Sequence, residues 1–177
     1  MREKNSGSNS ALERIRAVAM DVDGVLTDGG VWWGPNGEEW KRFSFADIMG
    51  VSLARRAGIA LALISGEDSP LVDRYAAKMH IAHVFKGCRE KAAALREFAA
   101  STGIDLADIC YIGDDINDLP AMHIAGFSAC PANAVRDVRT NVKFVSKSTG
   151  GSGAVREVVD AIFTARRLNP IDVFSRS

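Results

Sequence analysis

Neither sign of charge predominates in this 177-residue chain, where 22 lysines and arginines face 22 aspartates and glutamates. Without a basic surplus there is no electrostatic footprint for nucleic acid or for an anionic bilayer. Long apolar runs are missing too, and the opening MREKNSGSNS is polar where a secretory leader would carry its apolar stretch. Cysteine is scarce: Cys88, Cys110 and Cys130 are odd in number and too scattered for a zinc site or a disulfide framework, so three reduced thiols are expected. His80, His83 and His123 show no ligand spacing and are expected on helix or loop surfaces. These absences lead to a cytoplasmic protein with a disordered start over 1–14, whose partner is a small molecule or another copy of itself.

What is present is a globular composition, 47% hydrophobic and 25% charged, sufficient for one good core. The short apolar clusters AVAM, IALALI, HVF, ICYI and FSAC alternate with stretches of helical periodicity such as PLVDRYAAKM and EKAAALREFAAST. Such alternation predicts an α/β fold, a doubly wound, Rossmann-like parallel sheet with helices on both faces. Gly58, Gly103 and Gly126 each follow a helical stretch, where a left-handed cap is expected. The domain is expected over 15–168, with a short tail over 169–177.

One segment breaks the alternation. GGVWWGPNGEEWKRFSF carries aromatic and β-branched residues on both sides of GPNG, which predicts a β-hairpin over residues 29–45, inserted after the first strand. All three tryptophans of the chain, Trp32, Trp33 and Trp40, lie in it. Either the hairpin folds back on its own sheet or it forms a subunit interface, and the size of the apolar load favours the interface.

In doubly wound sheets, ligands sit beyond the carboxyl ends of the strands. Four polar signals fall at predicted strand ends: DVDGVLT, SGED, KGCREK and GDDINDLP. Alone, Asp21 or Asp23 reads as a helix cap, Ser65 as a turn serine and Lys91 as a solvated lysine. Together they form a carboxylate cluster, Asp21, Asp23, Asp114, Asp115 and Asp118, whose mutual repulsion demands a cation. Hard oxygen donors without histidine or thiolate suit Mg²⁺, which keeps a phosphate oxygen in its shell. Ser65 and the Gly66 amide can donate to that phosphate, and Lys91 can neutralise it.

These four motifs, in this order and spacing across residues 17 to about 145, resemble those of the haloacid dehalogenase superfamily. The short length, the aromatic hairpin and the GGSGAVREVVDAI segment are similar to its capless tetrameric phosphatases of 2-keto-3-deoxy sugar acids. The resemblance implies Asp21 as nucleophile forming an aspartyl phosphate and Asp23 as general acid and base, with Ser65 and Lys91 stabilising the transferring group. It further implies Mg²⁺ held by Asp21, the backbone of Asp23 and Asp114, with Asp115 and Asp118 holding its waters. Gly66, Glu67, Lys78, Asn117 and Arg156 are then candidates for substrate contacts, Arg156 from a tail reaching a neighbour's site in a homotetramer.

Within that group, enzymes of the 3-deoxy-manno-octulosonate 8-phosphate of lipopolysaccharide biosynthesis carry arginine after the SG-type glycine, whereas nononate 9-phosphate phosphatases carry glutamate there and a lysine eleven residues on. Glu67 and Lys78 therefore lead to a nine-carbon acid 9-phosphate as the expected substrate, with the octulosonate 8-phosphate as the alternative. Ile48 stands where the group commonly has glycine, which leaves the role of Asp47 open. A signalling receiver domain would need an acceptor aspartate after the third strand, which HVFKGC lacks. A phosphotransferase is opposed by the acid/base residue at Asp23, and a retired oligomerisation domain by the presence of every catalytic position.

Overall fold

The structure, a computed structural model, describes residues 10–175. Residues 10–14 are helical (α1) rather than disordered, because Leu12 is buried in the main core; the remainder of the expected disordered start, 1–9, lies outside the described residues. Six strands form one sheet in the order β5-β4-β1-β6-β7-β8. They are β1 (Ala17–Met20), β4 (Ala60–Ile64), β5 (His83–Phe85), β6 (Ile109–Ile112), β7 (Phe127–Cys130) and the two-residue β8 (Phe144–Val145). Every pairing in it is parallel.

The central strands β1 and β6 are buried at every position, as a sheet covered on both faces requires. One core, built on Val18, Met20, Leu63 and Ile112, packs under α2 (Phe45–Arg56), α3 (Pro70–Met79) and α7 (Ala154–Ala165). The other, built on Ala19, Ile64 and Tyr111, packs under α4 (Lys91–Thr102), α5 (Leu119–Ile124) and α6 (Arg136–Asn141). A last short helix, α8 (Pro170–Ser175), follows where only a tail was expected, and Val173 anchors it in the first core. Chain order reverses between β1 and β6, which opens a crevice at their carboxyl ends.

Local chemistry sets the helix ends. Ser44 and Ser69 accept from the amides of Ala46 and Leu71 at the starts of α2 and α3. Gly58 and Gly103 take the expected positive φ. Gly126 does not, because its constraint is proximity: a Cβ there would lie 1.8 Å from the Ala107 carbonyl oxygen. His83 is half-buried in β5 and meets the Phe98 ring edge-on at 5.0 Å, not on a helix or loop surface.

The hairpin is formed by β2 (Trp32–Trp33) and β3 (Glu39–Trp40), antiparallel, with Trp32 opposite Trp40. It does not fold back on the main sheet: Trp32, Trp33 and Trp40 are 64%, 76% and 52% exposed. Only its base is anchored, where Phe43 stacks on Tyr75 at 4.6 Å. Among the described residues no second α/β unit interrupts the chain, so the fold is capless.

Asp47 explains how the two ends of the chain meet. Its buried carboxylate accepts from the Gly153 and Arg156 amides, at 2.9 and 3.0 Å, at the start of α7. The segment just before α7 then bonds to the turn after β1, from the Gly151 amide to the Val25 carbonyl. Replacing Asp47 by alanine strands two amides at a helix start that is stapled to α2. Asp47→Ala is expected to lower the unfolding free energy by about 3 kcal/mol, the loss of two bonds to a charged acceptor. A lower urea midpoint at unchanged slope is the readout; an unchanged midpoint would show that the staple carries no stability.

Candidate active site

The crevice at the strand ends holds a cavity of about 280 Å³ lined by Asp21, Asp23, Gly29, Gly66, Glu67, Lys91, Asp114, Asp115 and Asn117. Its centre is an ion-paired triad. Lys91, at the first position of α4, is 2% exposed, with its ammonium 3.0 Å from Asp21 Oδ1 and 2.8 Å from Asp118 Oδ1. Burial alone would lower the Lys91 pKa, but the two carboxylates override it and raise it.

Asp118 is saturated by the protein. Its Oδ1 accepts from Lys91 and from the Tyr111 hydroxyl at 2.8 Å, and its Oδ2 from the Asp114 and Asp115 amides at 3.0 and 3.2 Å. With all four bonds made, Asp118 orients Lys91 and shapes the GDDIND loop; its expected role of holding a metal's waters is not what this arrangement provides.

Asp21 and Asp114 remain. The Gly24 backbone, at φ +85, lets Asp114 approach: a Cβ on Gly24 would lie 2.0 Å from Asp114 Oδ2. Carboxylate oxygens of Asp21, Asp114 and Asp118 gather within 4.8 Å of one another. Burial first, then repulsion by Asp118, against the attraction of Lys91, pushes the Asp21 pKa up to about 7. Burial, then Asp21 and Asp118, pushes Asp114 up to about 8. Carboxylates under that strain, with only oxygen donors around them, fit a hard dication such as Mg²⁺.

Ser65, at the end of β4, is fully buried, and its Oγ accepts the Glu67 amide at 3.1 Å, leaving its own proton to donate. Asn117 bounds the space above Gly66, its Nδ2 lying 3.9 Å from where a Cβ on Gly66 would be. Asp23 turns outward to a second cavity of about 240 Å³, which shares Asp23, Gly29 and Glu67 with the first and adds Val31, Trp33, Glu39 and Lys41.

Two expected substrate residues are not in this chain's cavity. Lys78 is the ninth residue of α3, about 12 Å along the helix from its start, and lines two other hollows, one with Ser52 and Arg55 and one with Trp40, Lys41 and Tyr75. Arg156 forms an ion pair with Asp160 one turn on, its Nε 2.9 Å from both carboxylate oxygens. Lys41 went unrecognised: its side chain is 5% exposed and its ammonium is 2.8 Å from Asp23 Oδ1. Its signal, one of four charges clustered at Glu38, Glu39, Lys41 and Arg42 of the hairpin, is indistinguishable in sequence from a solvated lysine. Tyr111 was likewise hidden among the apolar residues of β6.

The raised carboxylate pKa values have a stability consequence. Without a cation the folded protein keeps protons on Asp21 and Asp114 that the unfolded chain, with a carboxylate value of 3.8, has released. This contribution to stability is complete at acid pH and is lost as pH rises through about 7 to 8. A bound dication takes the place of those protons, so the gap between melting temperatures in Mg²⁺ and in EDTA is expected to widen from about pH 5 to about pH 8. A gap independent of pH would contradict the assignment of these carboxylates as the cation's ligands.

Residues 60–158 match the haloacid dehalogenase-like hydrolase family. The chain is similar to the 3-deoxy-D-manno-octulosonate 8-phosphate phosphatase KdsC of Haemophilus influenzae, 40% identical over 88% of this chain and 86% of that one. It is also similar to the Escherichia coli protein of the same name, 36% identical over 87% of this chain and 82% of the relative. Among solved structures, the 3-deoxy-D-manno-octulosonate 8-phosphate phosphatase of Moraxella catarrhalis, in complex with magnesium, phosphate and KDO, superposes with a TM-score of 0.89. That pair is 38% identical, and the match covers 94% of this chain and 95% of that one. With the motifs, the capless parallel sheet and these matches in agreement, the chain belongs to the haloacid dehalogenase-like hydrolases.

Proposed function

We propose that the protein is a Mg²⁺-dependent phosphatase that removes the terminal phosphate of a 2-keto-3-deoxy sugar acid, with 3-deoxy-D-manno-octulosonate 8-phosphate as its substrate. The observation that carries this reading is one cavity in which Asp21 is paired with buried Lys91 and Asp23, two residues on, opens to an adjoining space. The phosphoryl group belongs in the first cavity and the sugar acid in the second.

The ligands for Mg²⁺ would be Asp21, the backbone carbonyl of Asp23 and Asp114, and the ion when bound draws charge from the phosphoryl oxygens. Asp21 attacks phosphorus, forming an O–P bond as the ester O–P bond breaks and its electron pair passes to the sugar oxygen. Asp23 gives that oxygen a proton, then recovers one from the water that hydrolyses the aspartyl phosphate. Lys91 and the Ser65 hydroxyl hold the charge spread over the transferring group, with the Gly66 amide beside them. Asn117 and Glu67, on the walls, are placed to meet the substrate.

The nine-carbon expectation rested on Glu67 and Lys78 together. Glu67 lines both cavities, but Lys78 lines neither, and the relatives at 36–40% identity are named for the eight-carbon acid. Phosphate release from matched eight- and nine-carbon keto-acid phosphates decides it: the octulosonate 8-phosphate is expected to give the higher kcat/KM, and preference for a 9-phosphate would overturn the assignment. Asp21→Asn is expected to abolish turnover on both, and Asp23→Asn to slow the sugar phosphate by about 10²–10⁴-fold.

The assembly belongs to the same reading. Trp32, Trp33, Trp40 and Phe45 form an exposed aromatic surface at the hairpin, and such a patch calls for a dry partner. A homotetramer built on it gives that partner, and any contact of Lys78 or Arg156 with substrate would have to come through a second copy. Light scattering at micromolar concentration is expected to give the tetramer mass; a monomer would refute the assembly.

A further inference from the structure

Asp23 is held in an unusual way for a group that must hand over a proton. Its Oδ1 is 2.8 Å from the Lys41 ammonium, while its Oδ2 is buried without a hydrogen-bond partner. Among the described residues, no other side chain pairs with this carboxylate. Lys41 is itself fixed: its ammonium is 3.3 Å from Glu39, and Glu39 accepts the Ser69 hydroxyl at 2.9 Å at the cap of α3. A rigid strut thus runs from the start of α3, through the base of the hairpin, to Asp23. It lines the second cavity, on the side away from Lys91.

We infer that Lys41 is a positioning residue for leaving-group protonation, fixing the side-chain torsion from which the Asp23 carboxylate meets the ester oxygen. The inference rests on the acid/base role proposed above for Asp23. The ammonium holds Oδ1 and with it the orientation of Asp23 at the wall of the second cavity, which both residues line. A proton carried by Asp23 passes to the ester oxygen as the O–P bond breaks, and the carboxylate left behind is again neutralised by Lys41. The ammonium keeps its own protons throughout. Without Lys41 the side chain loses the one group that fixes its rotamer, and misplacement of a proton donor by even a small distance is costly in rate.

A test follows from leaving-group chemistry. An alkyl ester of a sugar needs its oxygen protonated on departure, whereas the nitrophenolate of p-nitrophenyl phosphate is a weak base and leaves without help. The parameter kcat/KM reports only steps up to that departure. Lys41→Met is expected to lower kcat/KM for the sugar-acid 8-phosphate by about 10–100-fold, a part of the general-acid contribution, and that for p-nitrophenyl phosphate by less than about 3-fold. In an Asp23→Asn background the same substitution is expected to add almost nothing, since groups acting as a unit are non-additive.

Lys41→Gln, neutral but still an N–H donor, is expected to show the same split in weaker form, and it supplies the readout where the methionine variant does not fold. Equal losses on both esters, or full additivity with Asp23→Asn, would overturn the inference and leave Lys41 a structural ion pair. The underlying reading fails separately: it falls if Asp23→Asn itself shows no dependence on the leaving group. If Asp23→Asn shows that dependence and the Lys41 variants do not, the inference about Lys41 falls alone.

Discussion

The ammonium of Lys91, buried between Asp21 and Asp118, is the interaction on which the site depends. An unpaired charge at that depth would cost several kcal/mol, and removal of one partner from a buried pair costs about 3–5 kcal/mol. The fold therefore supplies its pairing twice, from the end of β1 and from the loop after β6. Asp118 can serve only because the Tyr111 hydroxyl and two loop amides take up its remaining lone pairs. The same loop amides turn Asp114 back toward Asp21, where the bare Gly24 backbone makes room for it. One buried cation thus organises three strand ends, and the carboxylate charge it leaves uncompensated is what a dication can balance.

That constraint explains which parts of the site were legible in sequence. Asp21, Asp23, Ser65 and Asp114 follow apolar strands directly and Lys91 opens the helix after β5, where burial makes a polar or charged residue improbable without a partner, so their positions betray them. The five main strands were legible for the same reason, as short apolar runs with no helical period. β8 was not, since its two residues carry no periodicity, and α1 and α8 were missed because each is anchored by a single buried side chain, Leu12 or Val173. Lys78 misled because sequence distance is not direction: it stands some two turns along α3 from its start and lines neither cavity. Tyr111 was hidden among the apolar residues of β6, and Lys41 and Asp47 because only the folded chain brings a hairpin lysine to Asp23 or a helix-start carboxylate to Gly153 and Arg156.

A capless hydrolase must still shield the transferring phosphoryl group from water, and in this chain the first cavity is shaped by the loops after β1, β4 and β6 and by the start of α4. The hairpin carries exposed tryptophans along its two strands, a polar turn at its tip and the Lys41–Glu39 pair toward its base. Its base does chemistry-related work through Lys41 and Glu39, while its tryptophans remain exposed within the single chain. The separation is physically sensible. A surface that can be covered by another copy stands apart from the ion pairs that must stay in register with Asp23, and Phe43 stacked on Tyr75 fixes the joint between them.

The central claim is covalent catalysis by Asp21, and intact-protein and peptide mass spectrometry on the acid-quenched Asp23→Asn enzyme during turnover tests it most directly. Loss of the base slows hydrolysis of the intermediate, so the peptide containing Asp21 is expected to carry the added mass of one phosphoryl group, and that mass to disappear in Asp21→Asn. Continued release of phosphate with the Asp21 peptide unmodified at every quench time, or with the phosphoryl group on another residue, would contradict it.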